Sequence, residues 1–291
     1  MNKFLERLRS GKTLVADGAT GTNLHKLGLQ PGIAPEDLVL DQPELILKLE
    51  TAFAAAGSDI ILTCTFGGTR LRMKDSKYAQ RVTEVNTRAV KLARKAASIR
   101  RGILVAGSIG PTGLLMKPYG PLTPDEACAA FTEQVQGLVA GGVDLLIIET
   151  MFAFDEADAA FKAARTVTDL PIVVSFSYDR GVRTMMGVKP AEVIKRYKEM
   201  GAALVGANCG TSLENMEKVA QEYAAADPGF PLWIKPNAGL PRMVDGNTVF
   251  DVTPEQMAEF ARKYAVLGAR VVGGCCGNTP EHIAAIAKAV N

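Results

Sequence analysis

Histidine is scarce in this chain of 291 residues, which contains only His25 and His282. His282 belongs to the segment 279–282, whose Thr-Pro-Glu-His order is typical of the first turn of a helix. That position makes it a helix-terminus residue rather than a ligand or a base. A catalytic triad built on histidine, or a histidine-rich metal site, therefore has little material in this sequence.

A net charge of one sign is also lacking, because 33 lysines and arginines nearly balance 31 aspartates and glutamates to give +2. Such a balance argues against a nucleic-acid partner or an anionic membrane surface. No apolar run is long enough to span a bilayer, since Asp144, Glu149 and Asp155 interrupt the best candidate. Residues 1–12 lack the apolar core and the cleavage site of a signal peptide. We therefore expect a cytoplasmic protein with no nucleic-acid and no membrane partner.

The chain does have a series of short, apolar, β-branched runs. Eight are recognised, at residues 13–19, 59–66, 103–110, 144–150, 171–178, 203–209, 231–238 and 269–276. Each is predicted to be a strand buried on both faces, with amphipathic helical stretches such as 44–56, 124–140 and 254–267 between them. This alternation predicts an α/β fold, a (β/α)8 TIM barrel, rather than a doubly wound sheet of about five or six strands. No Pro/Gly/Ser-rich linker divides the chain, so we expect one barrel domain over residues 1–291.

The predicted strands end in an unusual set of polar and thiol side chains. In (β/α)8 enzymes the active site lies at the carboxyl ends of the strands. Here those ends carry Asp17, Cys64, Glu149, Asn208, Cys209, Asn237, Cys275 and Cys276. We therefore expect the functional site at this face of the barrel.

Three of the five cysteines form the strongest candidate in this set. Cys209 ends the sixth strand, while Cys275 and Cys276 end the eighth, only one neighbour away around a barrel. Adjacent cysteines are poorly placed for a disulfide with each other. Two adjacent thiolates and a distant third can instead close on one tetrahedral Zn²⁺ and leave a fourth position open for a substrate. The alternative is burial as small apolar residues, which is the preferred interpretation for Cys128.

Six short motifs extend over nearly the whole chain. They are Asp17-Gly18-Ala19-Thr20-Gly21-Thr22, GSIGPTG at 107–113, Ile148-Glu149-Thr150, Asn208-Cys209, KPNAG at 235–239 and GGCCG at 273–277. In this order the chain resembles the homocysteine S-methyltransferase family, most closely the homocysteine-binding module of cobalamin-dependent methionine synthase. The resemblance implies Zn²⁺ on Cys209, Cys275 and Cys276, and homocysteine as the thiol that is methylated to methionine.

An amino-acid substrate needs partners for its ammonium and its carboxylate. Asp17 and Glu149, at the ends of the first and fourth strands, are suited to the ammonium, and the resemblance implies the same roles. The backbone amides around Gly18 and Ala19 can approach the carboxylate, because little side chain intervenes. The alternatives are that Asp17 caps the following helix and that Glu149 pairs with a neighbouring cation.

Two further strand-end residues have open roles. Asn237 ends the seventh strand, between the two cysteine strands, and its amide oxygen would hold the fourth zinc position until homocysteine displaces it. A hydrogen-bonding role in the turn is the alternative. Cys64 stands where the methionine synthase module usually has Asn, and an extra thiol there either is harmless or tunes the pocket.

The methyl donor is the least determined part of the prediction, because the chain carries no folate, corrinoid or activation module. The closest resemblance is to a module that takes its methyl group from cobalamin. We therefore expect a separate methylcorrinoid protein as donor, docking on loops such as 117–119 and 180–183. The alternatives are S-methylmethionine or betaine as donor, another thiol as acceptor, and a non-catalytic zinc- or thiol-binding subunit.

Overall fold

A closed ring of parallel strands organises the computed structural model, which describes residues 2–30, 32–244 and 247–291. The strands of these residues are β1 Leu14–Val15, β2 Ile60–Leu62, β3 Leu104–Ile109, β4 Leu145–Met151, β5 Ile172–Phe176, β6 Leu204–Cys209, β7 Leu232–Pro236, β8 Arg242–Val244, β9 Asn247–Val249 and β10 Ala269–Val272. Eight of them pair in the order β1-β10-β7-β6-β5-β4-β3-β2, and β8 and β9 form a separate antiparallel hairpin. The predicted (β/α)8 barrel is confirmed, with all eight predicted strands in place.

Helices fill the connections between the strands and cover the outside of the barrel. Within the described ranges they are α1 Lys3–Arg9, α2 Thr20–Lys26, a 3₁₀ turn Pro35–Asp37, α3 Leu38–Asp41, α4 Pro43–Ala55, α5 Val82–Ala97, α6 Pro124–Gly141, α7 Phe154–Val167, α8 Pro190–Glu199, α9 Leu213–Ala226, α10 Pro254–Val266 and α11 Pro280–Val290. The Thr-Pro starts behave as predicted, since Thr123 accepts a hydrogen bond from the Glu126 amide at the start of α6. His282 accepts one from the Thr279 amide, as expected of a helix-terminus residue. None of these helices combines the length and apolarity needed to cross a membrane.

The two faces of the strands belong to two different buried clusters. Outward-facing residues pack under the helices, whereas alternate residues such as Ile147 and Trp233 form a smaller cluster inside the barrel. Phe4 of α1 belongs to this inner cluster and is fully buried, so α1 closes the barrel at the amino ends of the strands. Towards the carboxyl ends the inward positions become polar, with Glu149 following Ile147 on β4 and Lys235 following Trp233 on β7.

The seam between β1 and β2 depends on side chains as much as on the backbone. Only an isolated bridge, between Ala16 and Ile60, is found there among the described residues. At the amino end of β2, Asp59 accepts a hydrogen bond from the Val15 amide at 3.0 Å. At the carboxyl end of β2, the Leu62 amide donates a hydrogen bond to Asp17 Oδ2 at 2.7 Å. Two carboxylates thus add side-chain hydrogen bonds to the few backbone bonds of this seam.

Replacing Phe4 by Ala tests whether α1 is an integral plug of the barrel. Because the ring is fully buried in the inner cluster, we expect the free energy of unfolding to fall by about 3–5 kcal/mol. Urea denaturation followed by circular dichroism measures this change, with the exposed neighbour Lys3→Ala as the matched control. A loss below about 1 kcal/mol would contradict the plug, since that is within the range of ordinary surface changes.

Candidate functional site

The three predicted cysteines meet above the barrel axis. The Sγ of Cys209 lies 2.9 Å from that of Cys275 and 4.0 Å from that of Cys276, and all three sulfurs lie within 4.8 Å of one another. None of them is in a disulfide. Around a tetrahedral zinc with Zn–S bonds of about 2.3 Å, thiolate sulfurs would be ~3.8 Å apart. The Cys209–Cys276 pair fits that spacing, and the closer pair needs to open by roughly 0.9 Å.

The local backbone aims these thiols into the site. Cys209 has a φ of +57°, in the left-handed region that residues other than glycine rarely adopt. On the other loop, a Cβ at Gly274 would lie 2.2 Å from Cγ of Asn278, so only glycine fits there. Asn278 is itself fully buried and donates from Nδ2 to the carbonyls of Pro236 and Cys275. This asparagine, which was missed in the sequence, holds the cysteine turn against β7.

Asn237 connects the two cysteine loops to each other. Its Oδ1 accepts a hydrogen bond from the Cys276 amide at 3.0 Å, and its Nδ2 donates to the Gly210 carbonyl at 3.0 Å. The oxygen that was a candidate fourth zinc ligand therefore already has a backbone partner. This geometry favours the alternative stated for Asn237, a hydrogen-bonding role that sets the spacing of the cysteines.

Asn208, the neighbour of Cys209, performs a similar task on the opposite side. Its buried Oδ1 accepts from the Thr150 amide at 2.9 Å and from the Ser175 hydroxyl at 2.6 Å. Its Nδ2 donates to the Thr150 hydroxyl at 2.6 Å and lies 3.8 Å from Sγ of Cys275. Thr150, like Cys209, has a left-handed φ, here +61°. The side chain of Asn208 therefore ties the ends of β4, β5 and β6 together at the base of the site.

A cavity of about 460 Å³ opens above the cysteines, within the size range of small-molecule sites. Its cysteine side is formed by strand ends and carries Ser108, Glu149, Thr150, Cys209, Lys235, Cys275 and Cys276. The rest of the cavity wall, here called the β1–β2 side, is formed by the connections that follow β1 and β2. It carries Thr20, Thr22, His25, Glu36, Phe66 and Arg72. Both Cys64 and Gly18 also line the cavity, and burial raises the pKa of the Cys64 thiol.

Glu149 is the acidic group on the cysteine side. It is buried, and its Oε1 accepts a hydrogen bond from the Ser108 hydroxyl at 2.5 Å. Burial raises the pKa of Glu149 to about 7, although the Lys235 ammonium opposes the rise. A cationic ligand would stabilise the ionised form of this carboxyl group, because its charge would compensate for the loss of water around the carboxylate.

Asp17 is paired inside the protein. Its Oδ1 accepts from Nζ of Lys235 at 2.8 Å, and the two side chains are only 2% and 3% exposed. Its Oδ2 accepts from the Leu62 amide. Burial raises the pKa of Asp17, while the Lys235 ammonium and the Leu62 amide oppose the rise by favouring the ionised carboxylate. Asp17 is buried beneath the cavity wall, whereas Lys235 reaches the cavity itself.

Lys235 was not predicted as a site residue, although a lysine within the apolar run 231–238 was a visible signal. The Ala19 amide, which was expected to bind the substrate carboxylate, already donates a hydrogen bond to the Asn278 carbonyl at 3.2 Å. Gly18 retains its place on the wall, where a Cβ would lie 2.6 Å from the Phe53 ring.

Comparison with known proteins gives a consistent result. The sequence pattern of the family described as homocysteine S-methyltransferase matches residues 14–290. The metallated form of the homocysteine methyltransferase MmuM from Escherichia coli superposes with a TM-score of 0.83 at 24% identity, covering 99% of both chains. Its oxidized form gives 0.79 at 25% identity, covering 97% of this chain and 98% of that one. Type I 3-dehydroquinate dehydratase from Clostridium difficile, 13% identical over 96% of this chain and 92% of its own, has a TM-score of 0.54 and shares only the fold.

Replacing Asn208 by Ala tests the bracing of the strand ends. The change leaves the Thr150 amide and the Ser175 hydroxyl without their acceptor, so we expect the free energy of unfolding to fall by about 2–3 kcal/mol. Chemical denaturation measures it, and Asn215→Ala is the matched control, because that side chain makes an exposed bond to the Gly181 carbonyl. Equal effects of the two replacements would show that Asn208 does not brace the site.

Proposed function

The chain belongs to the homocysteine S-methyltransferase family, and we propose that it transfers a methyl group to the sulfur of homocysteine at the cysteine side of the cavity. One observation carries this proposal. Three thiols converge on the wall of a cavity that also presents a buried carboxyl group and a buried ammonium. Thiols suit a soft metal, and paired charges of both signs suit an amino acid. We further propose that residues 1–291 act as one barrel domain.

We infer that Cys209, Cys275 and Cys276 hold Zn²⁺, since three thiolates are a ligand set that this ion prefers. When bound, zinc would supply an open position at which a substrate thiol loses its proton. Three protein thiolates make the site electron-rich, so it assists a nucleophile rather than an electrophile. Asn237, Asn208 and Asn278 fix the positions of the three sulfurs through the contacts described above.

In the proposed reaction the homocysteine thiolate attacks the methyl carbon of the donor. A sulfur–carbon bond forms, the bond from the methyl group to its carrier breaks, and the carrier leaves with the electron pair. A thiol of pKa ~8.5 is only about 3% ionised at pH 7, so full ionisation contributes about thirty-fold, or ~2 kcal/mol. Holding the thiolate in line with the methyl carbon can contribute more, about 7–11 kcal/mol.

The substrate ammonium would bind Glu149, whose carboxyl group is held by Ser108 and faces the cavity. Asp17 was expected to share this role, and its contact with Lys235 makes it the less accessible of the two. The free wall at Gly18 would lie against the carboxylate end of the substrate. Replacement of Glu149 by Gln would then weaken homocysteine binding while leaving the three thiols intact.

We propose a separate methylcorrinoid protein as the methyl donor. Twelve large apolar side chains are exposed in the described part of the chain, and ten of them lie in connections that follow the barrel strands, at the end of the barrel where the cavity opens. These ten are Ile33, Phe66, Leu115, Tyr119, Met185, Met186, Leu240, Met243, Val244 and Val249. Tyr119 is 71% exposed. An apolar rim of this kind is typical of a surface that docks another protein.

A small donor is the second candidate, and the room on the β1–β2 side of the cavity favours it. A cationic methyl group there would face the Phe66 ring and the buried Glu36, while Arg72 could pair with a carboxylate of the donor. S-methylmethionine and betaine both have this combination of charges. The donor assay below separates the two candidates.

The proposed ligand set predicts the metal content of the protein. We expect about one zinc per chain in the wild type, and almost none in Cys275→Ala or Cys276→Ala, since two thiolates hold the ion less tightly than three. Elemental analysis after dialysis against a weak chelator measures the content. Cys128→Ser is the matched control and should keep its zinc, because Cys128 lies on α6, away from the cavity. Full zinc retention by Cys275→Ala would refute the ligand assignment.

A donor assay tests the proposed source of the methyl group. The purified zinc protein is incubated with homocysteine and, in turn, with a methylcorrinoid, methylfolate, betaine and S-methylmethionine, and methionine is quantified. We expect methionine from the methylcorrinoid, with a slower reaction for Tyr119→Ala when the corrinoid is protein-bound. Turnover with S-methylmethionine or betaine, and none with a methylcorrinoid, would select the small-donor candidate.

A further inference from the structure

Lys235 is a buried cation whose hydrogen bonds are incompletely satisfied. Its ammonium group has three N–H donors, and within the described ranges Asp17 is the acceptor found for it. The side chain is 3% exposed, yet it forms part of the cavity wall. A buried ammonium with free donors is costly unless a ligand or water meets them. Lys235 therefore offers donors directly to whatever occupies the cavity.

The charges around Lys235 place it where a small amino acid would need a cation. Both Lys235 and Glu149 lie within electrostatic reach of Cys275 and of each other. The short side chain of homocysteine keeps its charged groups close to its sulfur, so their partners have to lie beside the cysteines. The other cavity cation of fixed charge, Arg72, belongs to the β1–β2 side.

The contacts of Asp17 explain how Lys235 stays charged and oriented. Burial lowers the pKa of Lys235, but the Asp17 and Glu149 carboxylates more than offset this effect and raise it overall. Asp17 is anchored by the Leu62 amide at the β1–β2 seam. The ion pair thus fixes the ammonium against a rigid strand end and leaves its remaining donors directed away from Asp17.

We propose that Lys235 binds the carboxylate of homocysteine, with Asp17 as the positioning residue for its ammonium and Glu149 as the partner of the substrate's own ammonium. This assignment rests on the proposed function and adds to it the basis of substrate selection. A thiol without a carboxylate leaves the buried Lys235 donors unpaired, and a thiol without an ammonium leaves Glu149 unpaired. The site therefore selects zwitterionic thiols.

The test crosses three ligands with two variants of the zinc-loaded protein. The ligands are homocysteine, 3-aminopropane-1-thiol, which lacks the carboxylate, and 4-sulfanylbutanoate, which lacks the ammonium. Isothermal titration calorimetry measures their affinities. In the wild type we expect each truncated ligand to bind about 10- to 100-fold more weakly than homocysteine. Equal affinity for homocysteine and 3-aminopropane-1-thiol would overturn the proposal without any variant.

The variant for Lys235 is the double replacement Asp17→Asn/Lys235→Met, which removes both charges and leaves no unpaired buried ion. We expect this variant to bind homocysteine only as tightly as it binds 3-aminopropane-1-thiol. Its affinity for 3-aminopropane-1-thiol should differ from that of the wild type by less than about threefold. Retained zinc content and a retained thermal transition show that the variant is folded. Equal losses for both ligands would show that the pair only shapes the site, which overturns the proposal.

Glu149→Gln is the crossed control. It should weaken homocysteine and 3-aminopropane-1-thiol while leaving 4-sulfanylbutanoate nearly unchanged. The reverse pattern would exchange the two assignments and so overturn them. Failure of the wild-type zinc protein to bind homocysteine at all would instead refute the proposed function, a result distinct from wrong selectivity among ligands that do bind.

Discussion

The ion pair between Asp17 and Lys235 lies at the point where the closure of the barrel meets the functional site. Asp17 accepts the Leu62 amide, and in doing so it supplies a bond at the seam where β1 and β2 share only an isolated bridge. The same carboxylate holds the Lys235 ammonium at the cavity wall. A buried pair of this kind contributes little net stability, because desolvation offsets much of its attraction. Its value lies in joining the closure of the barrel to the charge of the site.

The inside of the barrel supports this pair through a change in polarity along each strand. Apolar residues such as Ile147 and Trp233 fill the inner cluster, and Phe4 closes it from the opposite end. One inward position further, Glu149 and Lys235 replace them. Alternation directs all these residues inward, so the charged layer rests on a packed apolar floor. Polar groups are therefore confined to the end of the barrel where the cysteine loops also lie.

The sequence predicted the eight strands and the meeting of the cysteines because both follow from regular rules, namely strand periodicity and the alignment of parallel strand ends. It did not predict the hairpin β8–β9, whose residues Arg242 to Val244 are exposed and carry no burial pattern. Nor did it identify Lys235 or Asn278. Their importance comes from partners distant in sequence, Asp17 and Pro236, and no local pattern encodes such pairs.

The same limitation explains why the expected roles of Asp17 and Asn237 change once their partners are known. Both residues end strands and carry oxygen acceptors, so each was a reasonable ligand for a substrate or a metal. Folding gives those acceptors to the Leu62 and Cys276 amides. The groups that line the cysteine side of the cavity are the complementary set: the Lys235 ammonium, the carboxyl group of Glu149 and the three thiols. The fold thus decides which polar groups remain available at the cavity wall, and these are the groups that we propose bind a zwitterionic thiol.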